Sequence, residues 1–302
     1  MTENEPEMPG TGIEPLAIKG ASAVVRSAAK ALEDDEKEVE ALRRLAEQSG
    51  DLEPAARIYA KRVAVKQHIR LQLVRPLARL LGAPRDYFNS QFEDDMADRM
   101  ADVPEEEIVT PRSSVAGPAM LGLGFTLEEP QLKAMFLNLL AAASDRRVQD
   151  SAHPSFAEVI KQLSASEAES LAAALRASPL PIIEIRRTAD APDEGYEIVA
   201  THVLDWTQDG QQVAAPERAM FVDNWVRLGL VIVDYGTSIA GAEKYSWAET
   251  APLVATAREH YETDGVRRVH YQKGGLRATE FGRSFEQVVI SSEPRALPAA
   301  KP

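Results

Sequence analysis

Two runs, PQLKAMFLNLLAAASD at 130–145 and HPSFAEVIKQLSASEAESL at 153–171, decide how this chain folds. In the first, Pro130 stands where a helix tolerates proline, because a first-turn N–H has no partner to lose. Thr126 with Glu129 forms a T-x-x-E capping pattern just upstream. Leu132, Met135, Phe136, Leu139, Leu140 and Ala143 then recur at helical spacing and predict one buried stripe. Asn138 lies off that stripe and is expected to bond across a helix contact or to reach water. In the second run, Pro154 precedes Ser155, and Ser155 with Glu158 spells a capping box opening a helix through Phe156, Val159, Ile160 and Leu163. Ser164 and Glu167 repeat the box before Ala168, Leu171, Ala172 and Leu175, and Ser178-Pro179 stops the run. Helices this short draw their stability from packing, so they predict a helical layer.

Together AGPAM at 116–120, LKAMFLNLLAAASD at 132–145 and HPSFAEVIKQLSASEAESL at 153–171 resemble the Abi-alpha family, over about residues 60–290. The resemblance implies a bacterial role in abortive infection by phage and no known active site. Asn138, His153, Pro154, Ser155, Phe156 and Glu158 are the structural residues of its motif in this chain.

From about Ser164 the rhythm changes. Ile182-Ile183-Glu184-Ile185-Arg186 is short and β-branched, as a strand requires. A polar span runs to Gln212, then a helix carries Met220, Phe221, Trp225 and Leu228 and closes at Gly229. The apolar strand Leu230-Val231-Ile232-Val233 follows. Val269-His270-Tyr271 and Leu276-Arg277-Ala278 flank Gly274-Gly275 and predict a hairpin. Thr279 and Gly282 open a last helix that buries Phe281, Phe285, Val288 and Val289. That order is the order of a winged-helix domain, interrupted by a long insertion at 236–265.

The expected architecture is mainly α with a small β component, α+β. A disordered acidic tail at 1–14 leads into a helical domain at 15–163. A winged-helix-like domain at 164–290 and a disordered tail at 291–302 follow. Leu16 to Leu45 reads as a further helix.

The formal charge of −13 opposes general nucleic-acid affinity. Local exceptions exist. Residues 61–85 hold Lys61, Arg62, Lys66, Arg70, Arg75, Arg79 and Arg85 with no acid, on an amphipathic helical pattern. Arg62, Lys66, Arg70, Arg75 and Arg79 are therefore candidates for binding an anionic surface. Residues 86–107 answer with Asp86, Glu93, Asp94, Asp95, Asp98, Asp102 and Glu105 to Glu107 against Arg99 alone, so an antiparallel pair of opposite charge is expected. Arg267, Arg268, Lys273 and Arg277 make the expected hairpin basic, a candidate contact for nucleic acid or a partner, although 164–290 holds 19 acids and 12 bases.

Without cysteine there is neither a disulfide nor a thiolate metal site, which fits a reducing cytoplasm. MTENEPEMPG lacks the basic start and apolar run of a signal peptide, and no apolar segment reaches the roughly 20 residues of a bilayer span. Asp150, His153 and Ser155 supply the residue types of a nucleophilic triad, but Ser155 is assigned to a cap and no second histidine stands at ligand spacing. His202, His260 and His270 read as isolated. No cofactor is expected. The expected activity is non-catalytic phage defence through an unknown protein partner or an anionic membrane surface, in the cytoplasm or peripheral at the inner membrane face. The alternative is a winged-helix regulator binding nucleic acid.

Overall fold

The computed structural model describes residues 61–68, 85–188, 195–208, 211–263 and 268–291. The chain divides into two compact units, Met1–Leu71 and Gln72–Pro302. In the first, 61–68 is helical and carries Arg62 and Lys66. The acidic tail, the 16–45 stretch, Arg70, Arg75, Arg79 and Arg267 lie outside the described residues, as does the chain beyond Ser291. The expected pairing of the basic and acidic segments falls there too.

The described residues of the second unit open with helices α1 (Arg85–Ser90), α2 (Phe92–Arg99), α3 (Ser113–Phe125), α4 (Pro130–Ala143), α5 (Ser155–Ile160) and α6 (Ala165–Ala177). Pro130 takes the first helical position, as its missing N–H predicts. Phe136, Leu139 and Leu140 are fully buried on α4, and Met120, Leu123, Phe156 and Leu171 on its neighbours. Each such side chain contributes about 1.5–3 kcal/mol of burial. Ser164 caps α6 as expected, accepting from the Glu167 N–H while the Glu167 carboxylate accepts from the Ser164 N–H.

Two other capping expectations are overturned. Thr126 turns its hydroxyl back to the Gly122 and Leu123 carbonyls and so closes α3 instead of opening α4. Ser155 makes no cap with Glu158, whose carboxylate pairs with Lys161 at 2.6 Å. The cause is His153: its ring Nδ1 lies 2.6 Å from the Ser155 hydroxyl and 3.2 Å from the Ser155 N–H, displacing the hydroxyl from its capping partner.

The β component is a four-stranded antiparallel sheet in the order β2-β1-β6-β5, built from β1 (Leu180–Thr188), β2 (Tyr196–Val203), β5 (Val231–Asp234) and β6 (Arg268–Ala278). A two-residue ribbon, β3 (Thr207–Gln208) with β4 (Gln211–Gln212), follows β2. The fold is α+β. Helix α7 (Ala219–Arg227) packs against β2 and β5, and α9 (Glu280–Phe285) against β6. The insertion after β5 forms a 3-10 stretch, Ala242–Glu249, and α8 (Pro252–Tyr261). Tyr245, Ala248, Val254 and Ala257 from that insertion bury Ile183, Ile185 and Val269 on one face of the sheet.

The hairpin expected around Gly274-Gly275 does not form. β6 runs unbroken from Arg268 to Ala278 and pairs with β1 from Thr188↔Arg268 to Leu180↔Leu276. Neither glycine has a left-handed φ. A Cβ at Gly274 would come within 2.5 Å of the Tyr235 ring and 2.8 Å of the Asp234 carbonyl oxygen, and the Tyr245 hydroxyl donates to the Gly274 carbonyl at 2.6 Å. The glycine permits close approach of neighbours, the other reason a strand carries one. The polar span before Gln212 likewise proves to hold a strand, β2.

Helix α9 is set onto the start of β5 by Thr279, which donates its N–H to the Leu230 carbonyl at 3.0 Å and its hydroxyl to the Gly229 carbonyl at 2.6 Å. Thr279 also caps α9 through the Gly282 N–H. The chain continues as a π-helical turn, Glu286–Ile290, packed against α4.

Candidate functional site

Asn138 does what its position off the stripe suggested. Its amide donates to the Val289 carbonyl in the π-helical turn at 2.9 Å and accepts from Arg99 Nε at 3.1 Å, linking α2, α4 and the last turn. Arg176 reaches the adjacent Ile290 carbonyl at 3.2 Å.

The His153 region is a structural corner. The exposed ring lies against Phe156 and Phe281, with centroids 5.8 and 6.1 Å away. Phe156 is fully buried, and Pro154 is the residue preceding α5. Asp150 bonds to Arg112. The acid of the would-be triad therefore points to a different base.

Two basic residues of β6 are engaged within the sheet region. Lys273 lies 5.2 Å over the Tyr245 ring, and Arg277 is 3.9 Å from Asp234. Arg268 begins the strand.

Another polar constellation among the described residues joins positions that looked unrelated in the sequence. His202, far from isolated, has a left-handed φ of 55° at an irregular stretch of β2. Non-glycine residues hold that conformation at a cost of about 1–3 kcal/mol and persist there only when over-determined by neighbours. The neighbours here are clear. The His202 N–H donates to Tyr235 Oη at 3.0 Å, Nδ1 lies 3.1 Å from the same oxygen, and Nε2 lies 3.1 Å from Asp223 on α7. The two rings stack with a 12° interplanar angle. Burial, with Glu184 and Asp223 adding to it, pushes the Tyr235 hydroxyl up to about 12, so it stays a phenol. The Asp223 carboxylate only accepts, so the Nε2 beside it carries a proton.

Behind Tyr235 stands a second layer. Glu184 is buried and accepts from Arg186 Nε at 2.7 Å. Arg186 also donates to Gln272, whose amide donates to the Tyr235 carbonyl at 3.1 Å, and it stacks 4.0 Å over Tyr196. A buried carboxylate is tolerable only with such a partner. The ensemble fixes α7 to the sheet. Its visible product is a surface: Met220 (65% exposed), Asp223 and Val226 share one side of α7, with the carboxylate between the apolar chains.

Two sequence signals marked this constellation. Tyr196 to Val203 is rich in aromatic and β-branched residues, and Glu184 and Arg186, alternating with Ile183 and Ile185, make the second face of β1 partly polar. Among the described residues no group of three or more His, Cys, Asp or Glu could hold a metal ion, and no helix is long and apolar enough to cross a membrane.

No curated protein and no solved structure matches the chain. A family model does, the one described as abortive infection alpha, and it matches residues 84–289, from α1 to the π-helical turn that Asn138 holds. Over two thirds of its length, motif and folded unit together, this chain belongs to the abortive infection alpha family.

Proposed function

We propose that the protein serves abortive-infection-type phage defence by binding a protein partner through α7, without chemistry of its own. The observation that supports this is the rigid presentation of Met220 and Val226 around Asp223, whose carboxylate is held by a histidine in a strained conformation. The matching partner surface carries a cation between apolar side chains, the composition of an interface hot spot. A winged-helix reading of the sheet region agrees with this. β1, β6 and β5 are adjacent in the order first, third, second, and α7 precedes the second of them, where a winged helix carries its recognition helix. Asp223 on that helix favours a cationic protein over phosphate.

The test is phage plating on cells that express the chain. Met220→Asp with Val226→Asp is expected to reduce protection by about tenfold or more, at unchanged abundance and unfolding temperature. Arg62→Glu with Lys66→Glu is expected to leave protection intact. Full protection by the α7 variant removes the proposal, and loss confined to the Arg62 and Lys66 variant replaces it with an anionic-surface mechanism.

A further inference from the structure

Helix α3 has a face that nothing among the described residues covers. From Ser113 to Leu127 the sequence carries no charge. Phe125 is 87% exposed and Leu121 42%, with Gly117 and Gly124 half-buried beside them. A Cβ at Gly117 would meet nothing within 4 Å, so the helix surface is dimpled one turn before Leu121. Positions 114, 117, 121 and 124 follow the 3-4-3 spacing of the seam between two helices packed side by side.

We propose that a second copy of this chain covers this face, α3 lying antiparallel on α3 about a two-fold axis at Leu121. A two-fold axis requires that when one residue meets another, the second copy repeats the contact in reverse. Centred on Leu121, it sets Phe125 of each copy on the partner's Gly117, a ring into a dimple, twice. The same operation brings the Arg112 and Ser113 end of each helix against the end bearing Glu128 and Glu129 in the other. No side chain caps the amino terminus of α3, so its first N–H groups, at the positive end of the helix dipole, meet carboxylates, while Arg112 keeps its pairing with Asp150. Parallel pairing would instead place Phe125 on Phe125 and Glu128 on Glu128. The two acidic residues at one end also disfavour an anionic lipid surface as the occupant. A net charge of −13 opposes self-association everywhere, least where a face is uncharged.

The chain has no cysteine, so single introduced thiols report contacts without background. Leu121→Cys is expected to form a disulfide-linked dimer on mild oxidation. Gly117→Cys alone and Phe125→Cys alone are expected not to, whereas their equimolar mixture forms a mixed dimer. In sedimentation equilibrium the full chain is expected to populate a dimer as concentration rises, and Phe125→Asp to weaken it by at least about a hundredfold. Circular dichroism establishes that each variant is folded, and Gly117→Cys enters open space. Three results overturn the proposal: a chain monomeric throughout with no bridge at 121, self-bridging at both 117 and 125, or a monomer that floats with phosphatidylglycerol vesicles.

Discussion

Replacing Gly282 by alanine sets two magnitudes against each other. On helix propensity alone the change stabilises a helix such as α9 by about 0.5–1 kcal/mol. The structure predicts the opposite sign. A Cβ at Gly282 would enter the van der Waals radius of the Leu230 carbonyl oxygen and come 2.9 Å from its carbon. The obstacle is backbone, which cannot swing aside as a side-chain tip does. Overpacking of this kind costs about 1–3 kcal/mol. The only relief is to move α9 away, which stretches the Thr279 bonds to Leu230 and Gly229, each worth about 0.5–1.5 kcal/mol. The balance is a loss of about 2–4 kcal/mol. For a unit of this size that lowers the unfolding temperature by about 5–15 °C. Differential scanning calorimetry reads it directly. An alanine variant melting at or above the parent temperature would refute the close-approach argument for this glycine.

Two further outcomes follow from the polar contacts of Tyr235 and of Asn138. Folded Tyr235 titrates at about 12 against an ordinary tyrosine near 10, so its stabilising contribution is complete below pH 10 and lost as pH rises to about 12. Urea titrations across that range should show a fall in stability that Tyr235→Phe reduces, while the same variant costs about 1–3 kcal/mol at neutral pH because the His202 N–H loses its acceptor. Asn138→Ala strands the Val289 carbonyl and one Arg99 donor; a loss of about 1–3 kcal/mol is expected, with amide exchange accelerated first in the π-helical turn.

Elements whose cause is local were legible in the sequence. The Ser164 and Glu167 box, the Thr279 cap, Pro130 at a first turn and Gly229 with its φ of 72° all satisfy their physics within a few residues. Where a distant neighbour decides, the sequence misled. Ser155 loses its capping role because the ring of His153 packs against the pair Phe156 and Phe281, and Phe281 is far along the chain. Gly274-Gly275 carries the same letters for a tight turn and for close approach, and only Tyr235 and Tyr245 resolve them. His202 looked solitary because Tyr235 lies 33 residues away and Asp223 on another element. Its left-handed backbone leaves no mark in composition.

The pairing of β1 with β6 bears on how the protein is made. Thr188 meets Arg268 across 80 residues, and Ser178 meets Ala278 across 100. During synthesis the whole of β1 therefore leaves the ribosome with its inner edge bare, and the strand that covers it emerges only some 80 residues later. Helices α3 to α6 are complete by then and offer a preformed platform, so the last twenty or so described residues close the sheet in a late, high-contact-order step. A chain stalled before β6 leaves that edge of β1 open to pairing with another strand.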